Sequence, residues 1–160
     1  MCTKQKTISE ILKSTANFNP RTTTVDDCKI IQLPKINNPA GNITSANNHG
    51  EIPFNTKRVY YLYDVPGGEA RGGHGHKQLQ QLILAGSGSF DIIVNDGKNQ
   101  RRFQLNRPDY GLYIPPGIWR ELDNFSSGSI SLVLASDNYE EEDYIRDFQS
   151  YKAFKKVTTP

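Results

Sequence analysis

The chain has 160 residues, enough for one domain with a single hydrophobic core and too few for a second catalytic domain. Its formal net charge is +2 and its basic residues are scattered, so we expect no surface that follows nucleic-acid phosphates. No segment approaches the ~18 apolar residues of a membrane span, and the first ten residues are not expected to be a signal peptide. Cys2 and Cys28 offer no disulfide framework. These features predict a cytoplasmic protein that binds neither nucleic acid nor membrane.

Residues 1–25 are rich in Thr, Ser, Lys and Asn and differ in composition from the rest of the chain. Thr7 and Glu10 have the spacing of a helix capping box. Three apolar residues then recur at helical spacing: Ile8, Ile11 and Leu12. The sequence therefore predicts an N-terminal extension over residues 1–25 that holds a short helix, followed by one domain over residues 26–156.

Short apolar runs separated by turn residues follow the extension, which is the pattern of a β-sandwich or β-barrel. The predicted strands are residues 29–33, 58–63, 79–85, 90–94, 112–114 and 130–135. Residues 95–97, with the sequence Asn-Asp-Gly, tolerate positive φ and predict a hairpin turn. The runs at 90–94 and 101–105 should therefore pair antiparallel.

The end of the domain has the signals of a helix. Asp137 and Asn138 can cap a helix, and residues 140–143 would place acidic charge in its first turn. Three aromatic residues would then lie on one helical face: Tyr144, Phe148 and Tyr151. The sequence predicts one C-terminal helix that packs outside an all-β domain.

Residues 71–76 carry the densest chemical signal, with the sequence Arg-Gly-Gly-His-Gly-His. In a strand, residues i and i+2 project from the same face, so His74 and His76 can enter one pocket together. The glycines leave space for a ligand to approach the backbone. The alternative is that the histidines are surface residues or hydrogen-bonded core residues. An imidazole titrates near pH ~6.5, so a pair in one pocket suits proton transfer.

Two stretches of the chain match the motifs of a known fold. The pair His74 and His76, followed by Gln81, has the spacing of the first cupin motif, and residues 115–120, Pro-Pro-Gly-Ile-Trp-Arg, match the second. The chain thus resembles the cupins. The resemblance implies an all-β cupin jelly-roll β-barrel, to which the sequence adds the short N-terminal helical extension and the C-terminal helix.

The metal ligands of the cupin motifs are altered in this chain. Gln81 stands where the family has a Glu, and Arg120 stands where it has a His. A neutral amide is a poor substitute for a carboxylate, and a guanidinium has only donors and cannot coordinate a cation. We therefore expect neither a catalytic metal nor another cofactor.

A closer resemblance rests on seven segments in a fixed order. They are IPF (52–54), KRVYY (57–61), RGGHGH (71–76), GLYIPPGIW (111–119), FSS (125–127), VLAS (133–136) and DYIRD (143–147). From about residue 28 to residue 154 the chain is similar to the sugar 3,4-ketoisomerases, cupin enzymes that act on dTDP-linked 4-keto-6-deoxysugars. The resemblance implies a dTDP-linked keto-deoxysugar as substrate and a homodimer that exchanges N-terminal strands.

The resemblance also implies roles for individual residues. His76 matches the family's catalytic base, His74 supports it, and Tyr60 belongs to the same site. Arg58 and Arg71 match positions around the sugar and the diphosphate. The side chains predicted to bind substrate are Arg58, Arg71, Gln81, Tyr113, Trp119 and Arg120, with Tyr113 or Trp119 stacking on the thymine.

The chemistry implied is general acid–base catalysis. A 4-ketone becomes a 3-ketone when the C3 proton is removed and a proton is returned to C4 through an enediol or enediolate. The leading hypothesis is therefore a metal-independent isomerase of deoxysugar biosynthesis. One alternative is a nucleotide-sugar 3,5-epimerase, which needs a histidine with a carboxylate partner that the sequence does not reveal. The others are a metal-binding cupin and a non-catalytic sugar-binding cupin.

Overall fold

The computed structural model describes residues 18–156, which fold mainly as β-strands. The strands are β1 (Lys29–Gln32), β2 (Lys35–Ile36), β3 (Ile43–Thr44), β4 (Arg58–Leu62), β5 (Arg71–His76), β6 (Gln81–Ser87), β7 (Phe90–Asn95), β8 (Gln100–Leu105), β9 (Tyr110–Ile114), β10 (Trp119–Asp123), β11 (Ile130–Ala135) and β12 (Tyr144–Ile145). Short 3-10 helices cover Val25–Asp27 and Glu141–Asp143, and the helix α1 covers Phe148–Lys155.

Two five-stranded antiparallel sheets form the body of the domain. The first has the order β1-β9-β6-β11-β4, the second has the order β12-β5-β10-β7-β8, and β2 and β3 pair only with each other. One buried cluster joins Ile83 and Val133 of the first sheet to Ile92 and Leu122 of the second. The sheets therefore pack face to face, which confirms the jelly-roll architecture of the cupin type.

The turn between β7 and β8 forms as its sequence predicts. Gly97 has a φ of 92°, and the Asp96 carboxylate accepts hydrogen bonds from the backbone N–H groups of Lys98 (2.9 Å) and Asn99 (2.8 Å). These bonds fix the register in which Phe90 pairs with Leu105. The predicted antiparallel hairpin is confirmed.

Alternation along β6 assigns its two faces. Ile83 and Ala85 point into the core between the sheets, whereas Leu82 and Leu84 point outward. The outward residues are covered by a second cluster that includes Leu33, Ile52 and Phe54. A strand buried on both faces explains why residues 82–85 form a continuous apolar run.

The described part of the predicted extension, residues 18–25, packs against the domain. Val25 joins the core, and the Thr23 hydroxyl donates to the carbonyl of Pro116 at 2.7 Å. The buried Lys155 of α1 donates to the Thr23 carbonyl at 2.6 Å. The helix predicted around residues 7–12 lies outside the described residues.

The C-terminal helix exists, but it begins later than the sequence predicts. Asp147 caps it by accepting from the Ser150 N–H at 2.7 Å, and Tyr144 lies in β12, where it pairs with His76. The expectation that Tyr144 shares a helical face with Phe148 was therefore wrong, because this stretch adds a strand to the second sheet. Within residues 18–156, no helix is long and apolar enough to cross a membrane.

Candidate active site

A cavity of about 130 Å³ lies between the two sheets. Its polar lining consists of Tyr60 from β4, Arg71 and His74 from β5, Gln81 from β6, Arg120 from β10 and Ser131 from β11. Arg120 is directly opposite His74 in the pairing of β10 with β5. Strand register thus brings residues from five strands to one place.

The two histidines lie side by side, as their spacing predicts. Their Nε2 atoms are 3.1 Å apart and their rings are perpendicular. His74 Nδ1 is 2.6 Å from the carbonyl of Gly72, and His76 Nδ1 is 2.9 Å from the carboxylate of Asp143. His76 is fully buried, whereas His74 lines the cavity.

These contacts decide the tautomers of both rings. A carbonyl and a carboxylate accept only, so each Nδ1 carries a proton and donates it. In the neutral rings each Nε2 then carries a lone pair, and the two Nε2 atoms are 3.1 Å apart, a distance at which one proton can lie between them. A proton taken from a substrate can be held there by both nitrogens.

Both rings are neutral near pH 7. Burial, together with the charge of Arg120, lowers the pKa of His74 to about 3. Burial also lowers the pKa of His76 to about 4, although the hydrogen bond to Asp143 opposes this shift. At neutral pH both rings are therefore unprotonated, which is the form that a general base needs.

Asp143 holds His76 in place and is itself held by the backbone. Its carboxylate accepts from the N–H groups of Gln78 at 2.7 Å and Leu79 at 3.3 Å. Burial favours the neutral form of this carboxyl group, but the hydrogen bonds from His76 and the backbone keep its pKa below the usual value. The site thus contains the histidine–carboxylate pair that the sequence did not reveal. A missing carboxylate partner can therefore no longer be used as an argument against an epimerase.

Tyr144 is a second site residue that sequence reasoning missed. Its ring centroid is 4.3 Å from that of His76 and 5.1 Å from that of His74, and the Arg146 guanidinium lies 4.3 Å from its centre. Asp143 and Tyr144 both belong to the DYIRD segment. The resemblance of this segment to the ketoisomerases is the sequence signal that could have identified both residues. The helix predicted for this stretch hid that signal.

Arg120 and Gln81 both line the cavity and bind each other. Arg120 is fully buried and donates to Gln81 Oε1 at 2.6 Å and to the Ile118 carbonyl at 2.9 Å. The Gln81 amide nitrogen donates to the hydroxyl oxygen of Tyr60 at 2.9 Å. Within residues 18–156, no three side chains of His, Cys, Asp or Glu converge to hold a metal ion.

Arg58 and Arg71 stand nearer the outside. The Arg58 guanidinium lies over the rings of Tyr60 (5.2 Å) and Tyr139 (5.7 Å). Its Nε and Nη2 atoms are buried, and the described residues offer them no hydrogen-bond partner. Arg71 is exposed beside the cavity. Both guanidinium groups have donors free for an anionic ligand.

The structure does not bring Tyr113 and Trp119 to the cavity. Tyr113 faces outward from β9 and donates to Gln80 Oε1 at 2.8 Å. Trp119 packs beneath α1, with its ring 5.1 Å from that of Phe148. Successive residues of a strand face opposite sides, so Trp119 cannot share the inner face with Arg120. The stacking of these two residues on a base, as expected from the sequence, has no support in this geometry.

Comparison with known proteins identifies the family of the chain. The model of the FdtA family, described as WxcM-like, C-terminal, matches residues 26–156. The chain belongs to this family. It is 40% identical to a TDP-4-oxo-6-deoxy-alpha-D-glucose-3,4-oxoisomerase of Aneurinibacillus thermoaerophilus over 126 residues, which cover 79% of this chain and 91% of the relative.

Solved structures give the same picture. The TDP-quinovose 3,4-ketoisomerase WlaRB of Campylobacter jejuni is 47% identical, with a TM-score of 0.76 and coverage of 79% of this chain and 98% of that one. A variant of the 3,4-ketoisomerase QdtA of Thermoanaerobacterium thermosaccharolyticum, solved with TDP-4-keto-6-deoxyglucose, is 36% identical, with a TM-score of 0.79 and coverage of 83% and 97%. A dTDP-4-dehydrorhamnose 3,5-epimerase of Bacillus anthracis shares the fold alone, at 15% identity, with a TM-score of 0.66 and coverage of 76% and 81%.

Proposed function

We propose that this member of the FdtA family is a sugar-nucleotide 3,4-ketoisomerase that converts a TDP-linked 4-keto-6-deoxyhexose into its 3-keto isomer. The observation that carries the proposal is the neutral histidine pair, oriented by Asp143, beside the hydroxyl of Tyr60. The pair supplies a base and the hydroxyl supplies an acid. The family relatives that act on TDP-linked keto sugars support the substrate class.

The first step removes the C3 proton. His76 acts as the base, because Asp143 holds its Nδ1 proton and leaves the Nε2 lone pair free. His74 assists, since its Nε2 lies 3.1 Å away and shares the proton that His76 receives. The electron pair of the broken C3–H bond forms the C3–C4 double bond, and negative charge develops on O4.

The second step completes the isomerisation. Tyr60 donates a hydrogen bond to O4 while the buried charge of Arg120 stabilises the enediolate. O4 takes the hydroxyl proton of Tyr60 to give the enediol, O3 gives its proton to the resulting phenolate, and C4 receives the proton held by the histidine pair. Two protons leave and two arrive, so no oxidant, reductant or metal ion is needed.

The nucleotide diphosphate needs positive charge at the cavity mouth. Arg58 has two buried N–H groups without partners in the described residues, and Arg71 lies exposed beside the cavity. Guanidinium groups bind phosphate oxygens through paired, charge-assisted hydrogen bonds. We therefore assign the diphosphate to these two arginines.

The product of one reaction tests the proposal. Proton NMR of TDP-4-keto-6-deoxyglucose incubated with the protein should show a 3-keto product, with C3 exchange in deuterated solvent. Exchange at C5 instead would identify an epimerase, and an unchanged spectrum would identify a sugar-binding protein. A metal ion bound in stoichiometric amount and required for turnover would contradict the metal-independent route.

The variant His76→Asn tests the base. Asn cannot accept the proton, so C3 exchange should be lost while binding of TDP, followed by calorimetry, stays within a few-fold of wild type. His49→Asn is the control, because His49 lies in the turn before β4, outside the site. Retained exchange in His76→Asn would remove this residue from the role of base.

We also propose that the protein is a homodimer that exchanges its β2–β3 hairpin. In the part of the chain that the structure describes, this hairpin pairs with no other strand, and its residues Ile36 and Ile43 are 61% and 62% exposed. β4 is a sheet edge whose outer face exposes Val59 and Tyr61. Edges and apolar faces of this kind are usually covered by a partner.

A further inference from the structure

The hydrogen bonds around Gln81 have a fixed direction. Arg120 has only donors, so the Gln81 atom that lies 2.6 Å from Arg120 Nη1 must be the amide oxygen. The other end of the amide is then NH₂, which can only donate. Its partner at 2.9 Å is the hydroxyl oxygen of Tyr60. Tyr60 therefore accepts this hydrogen bond.

That direction leaves the hydroxyl proton of Tyr60 unused. Within residues 18–156, Tyr60 Oη has no hydrogen-bond partner other than Gln81. Burial raises the pKa of Tyr60, so the hydroxyl keeps its proton at neutral pH. Tyr60 lines the cavity with His74 and Ser131, and the buried Ser131 hydroxyl likewise finds no hydrogen-bond partner among the described residues. The free O–H group thus faces a space that holds other unpartnered polar atoms.

We propose that Arg120 and Gln81 are positioning residues that orient the Tyr60 hydroxyl so that its proton points at the substrate oxygen. This inference rests on the proposed function, in which that oxygen is O4 of the ketone, and it gives Gln81 and Arg120 a role other than direct substrate contact. A buried guanidinium without a carboxylate partner costs free energy. Here the Arg120 guanidinium, which can only donate, fixes the orientation of the Gln81 amide.

The substitution Gln81→Glu reverses the direction of the hydrogen bond between residue 81 and Tyr60 and keeps the shape of the side chain. One oxygen of the carboxylate still accepts a hydrogen bond from Arg120. The other oxygen can only accept as well, so the Tyr60 hydroxyl must donate its hydrogen bond to it. Tyr60 can then no longer donate to the ketone. The variant retains a buried partner for Arg120, so folding, checked by thermal unfolding, should be preserved.

Gln80→Glu is the matched control. Gln80 is the adjacent residue on the opposite face of the sheet, and its Oε1 already accepts from Tyr113 at 2.8 Å. A carboxylate there changes the charge equally but leaves the direction of the Tyr113 hydrogen bond intact. Among the described residues its side chain has a hydrogen bond only with Tyr113, which does not line the cavity, so kcat should match wild type.

The experiment compares kcat and KM for TDP-4-keto-6-deoxyglucose in five proteins: wild type, Gln81→Glu, Gln80→Glu, Tyr60→Phe and the double variant Gln81→Glu/Tyr60→Phe. Rates are taken on the pH-independent plateau, because a carboxylate near His74 also raises the histidine pKa. We expect Gln81→Glu and Tyr60→Phe to lower kcat by a similar factor, about 10²- to 10³-fold, with KM little changed. The double variant should be no slower than either single variant.

A measurement without substrate separates this inference from the proposed function. In protein labelled at the tyrosine ¹³Cζ atoms, Gln81→Glu should move the Tyr60 resonance, which Tyr60→Phe identifies, while Gln80→Glu leaves it in place. Wild-type kcat in Gln81→Glu, additive losses in the double variant, or an unmoved Tyr60 resonance would each overturn the inference. Absence of a 3-keto product with wild-type protein would instead overturn the function.

Discussion

At the scale of single residues, one carboxylate sets the chemistry of the histidine pair. Asp143 accepts three hydrogen bonds, from His76 and from the N–H groups of Gln78 and Leu79. All three partners donate, so the site needs a group that only accepts. The NH₂ of a neutral amide at this position would have two choices. It would either face a backbone N–H donor or face His76 Nδ1, and the second choice would force the His76 tautomer with its proton on Nε2.

The substitution Asp143→Asn should therefore lower kcat by about 10²- to 10⁴-fold, the range of general-base contributions. Its effect on pH has a definite sign. Asp143 raises the pKa of His76, so without it that pKa falls below about 4, and the acid limb of the kcat/KM profile should move to lower pH. In wild type, neither histidine should cause a fall between pH 5 and pH 8.

Asp137→Asn is the control for this variant, because Asp137 is an exposed residue of the same loop that pairs with Lys57. Steady-state rates across pH check both variants. An acid limb that moves to higher pH in Asp143→Asn would contradict this assignment, and so would an unchanged kcat.

At the scale of elements, the turn between β9 and β10 joins the N-terminal segment to the site. Gly117 has a φ of 81° and donates to the carbonyl of His76 at 2.7 Å. A Cβ atom at this position would lie 1.8 Å from the carbonyl oxygen of Pro20. The segment around Pro20 therefore lies against this turn only because residue 117 has no side chain.

Gly117→Ala should lower the free energy of unfolding by about 3 kcal/mol or more, since the strain of positive φ adds to a backbone clash. Gly128→Ala is the matched control, because Gly128 has a φ of 69° and nothing within 4 Å of its Cβ position. Its cost should be the φ strain alone, about 1–2 kcal/mol. Urea unfolding measures both, and equal losses would contradict a clash with Pro20.

At the scale of the whole molecule, the described residues leave the outer face of the edge strand β4 uncovered. Val59, Tyr61 and Tyr63 are 54%, 61% and 59% exposed on and beside the edge strand β4. Contiguous exposed apolar surface of this kind marks an interaction surface. A symmetric dimer would cover it with the same surface of a second copy or with the exchanged hairpin.

Tyr61→Lys should therefore dissociate the proposed dimer, because it would place a charge in the apolar contact. Sedimentation velocity at micromolar concentration should show one mass for wild type and half that mass for the variant. Gln104→Lys, on an exposed position of β8 in the other sheet, should remain dimeric. A monomeric wild type would contradict the proposed assembly.

The features that sequence alone determined are those that depend on local periodicity. Alternation places His74 and His76 on one face, Asn-Asp-Gly builds the β7–β8 turn, and residue types at Gln81 and Arg120 exclude the usual ligand set. None of these needs knowledge of which strands are neighbours.

Tertiary structure decided the contacts that depend on register between distant strands. Asp143 reaches His76 across 67 residues, and Arg120 reaches Gln81 across 39. Register also turned Trp119 outward beneath α1 when it turned Arg120 inward. A shift of one residue in a strand exchanges its two faces, so these choices follow only from the packed sheets and not from the local pattern of the chain.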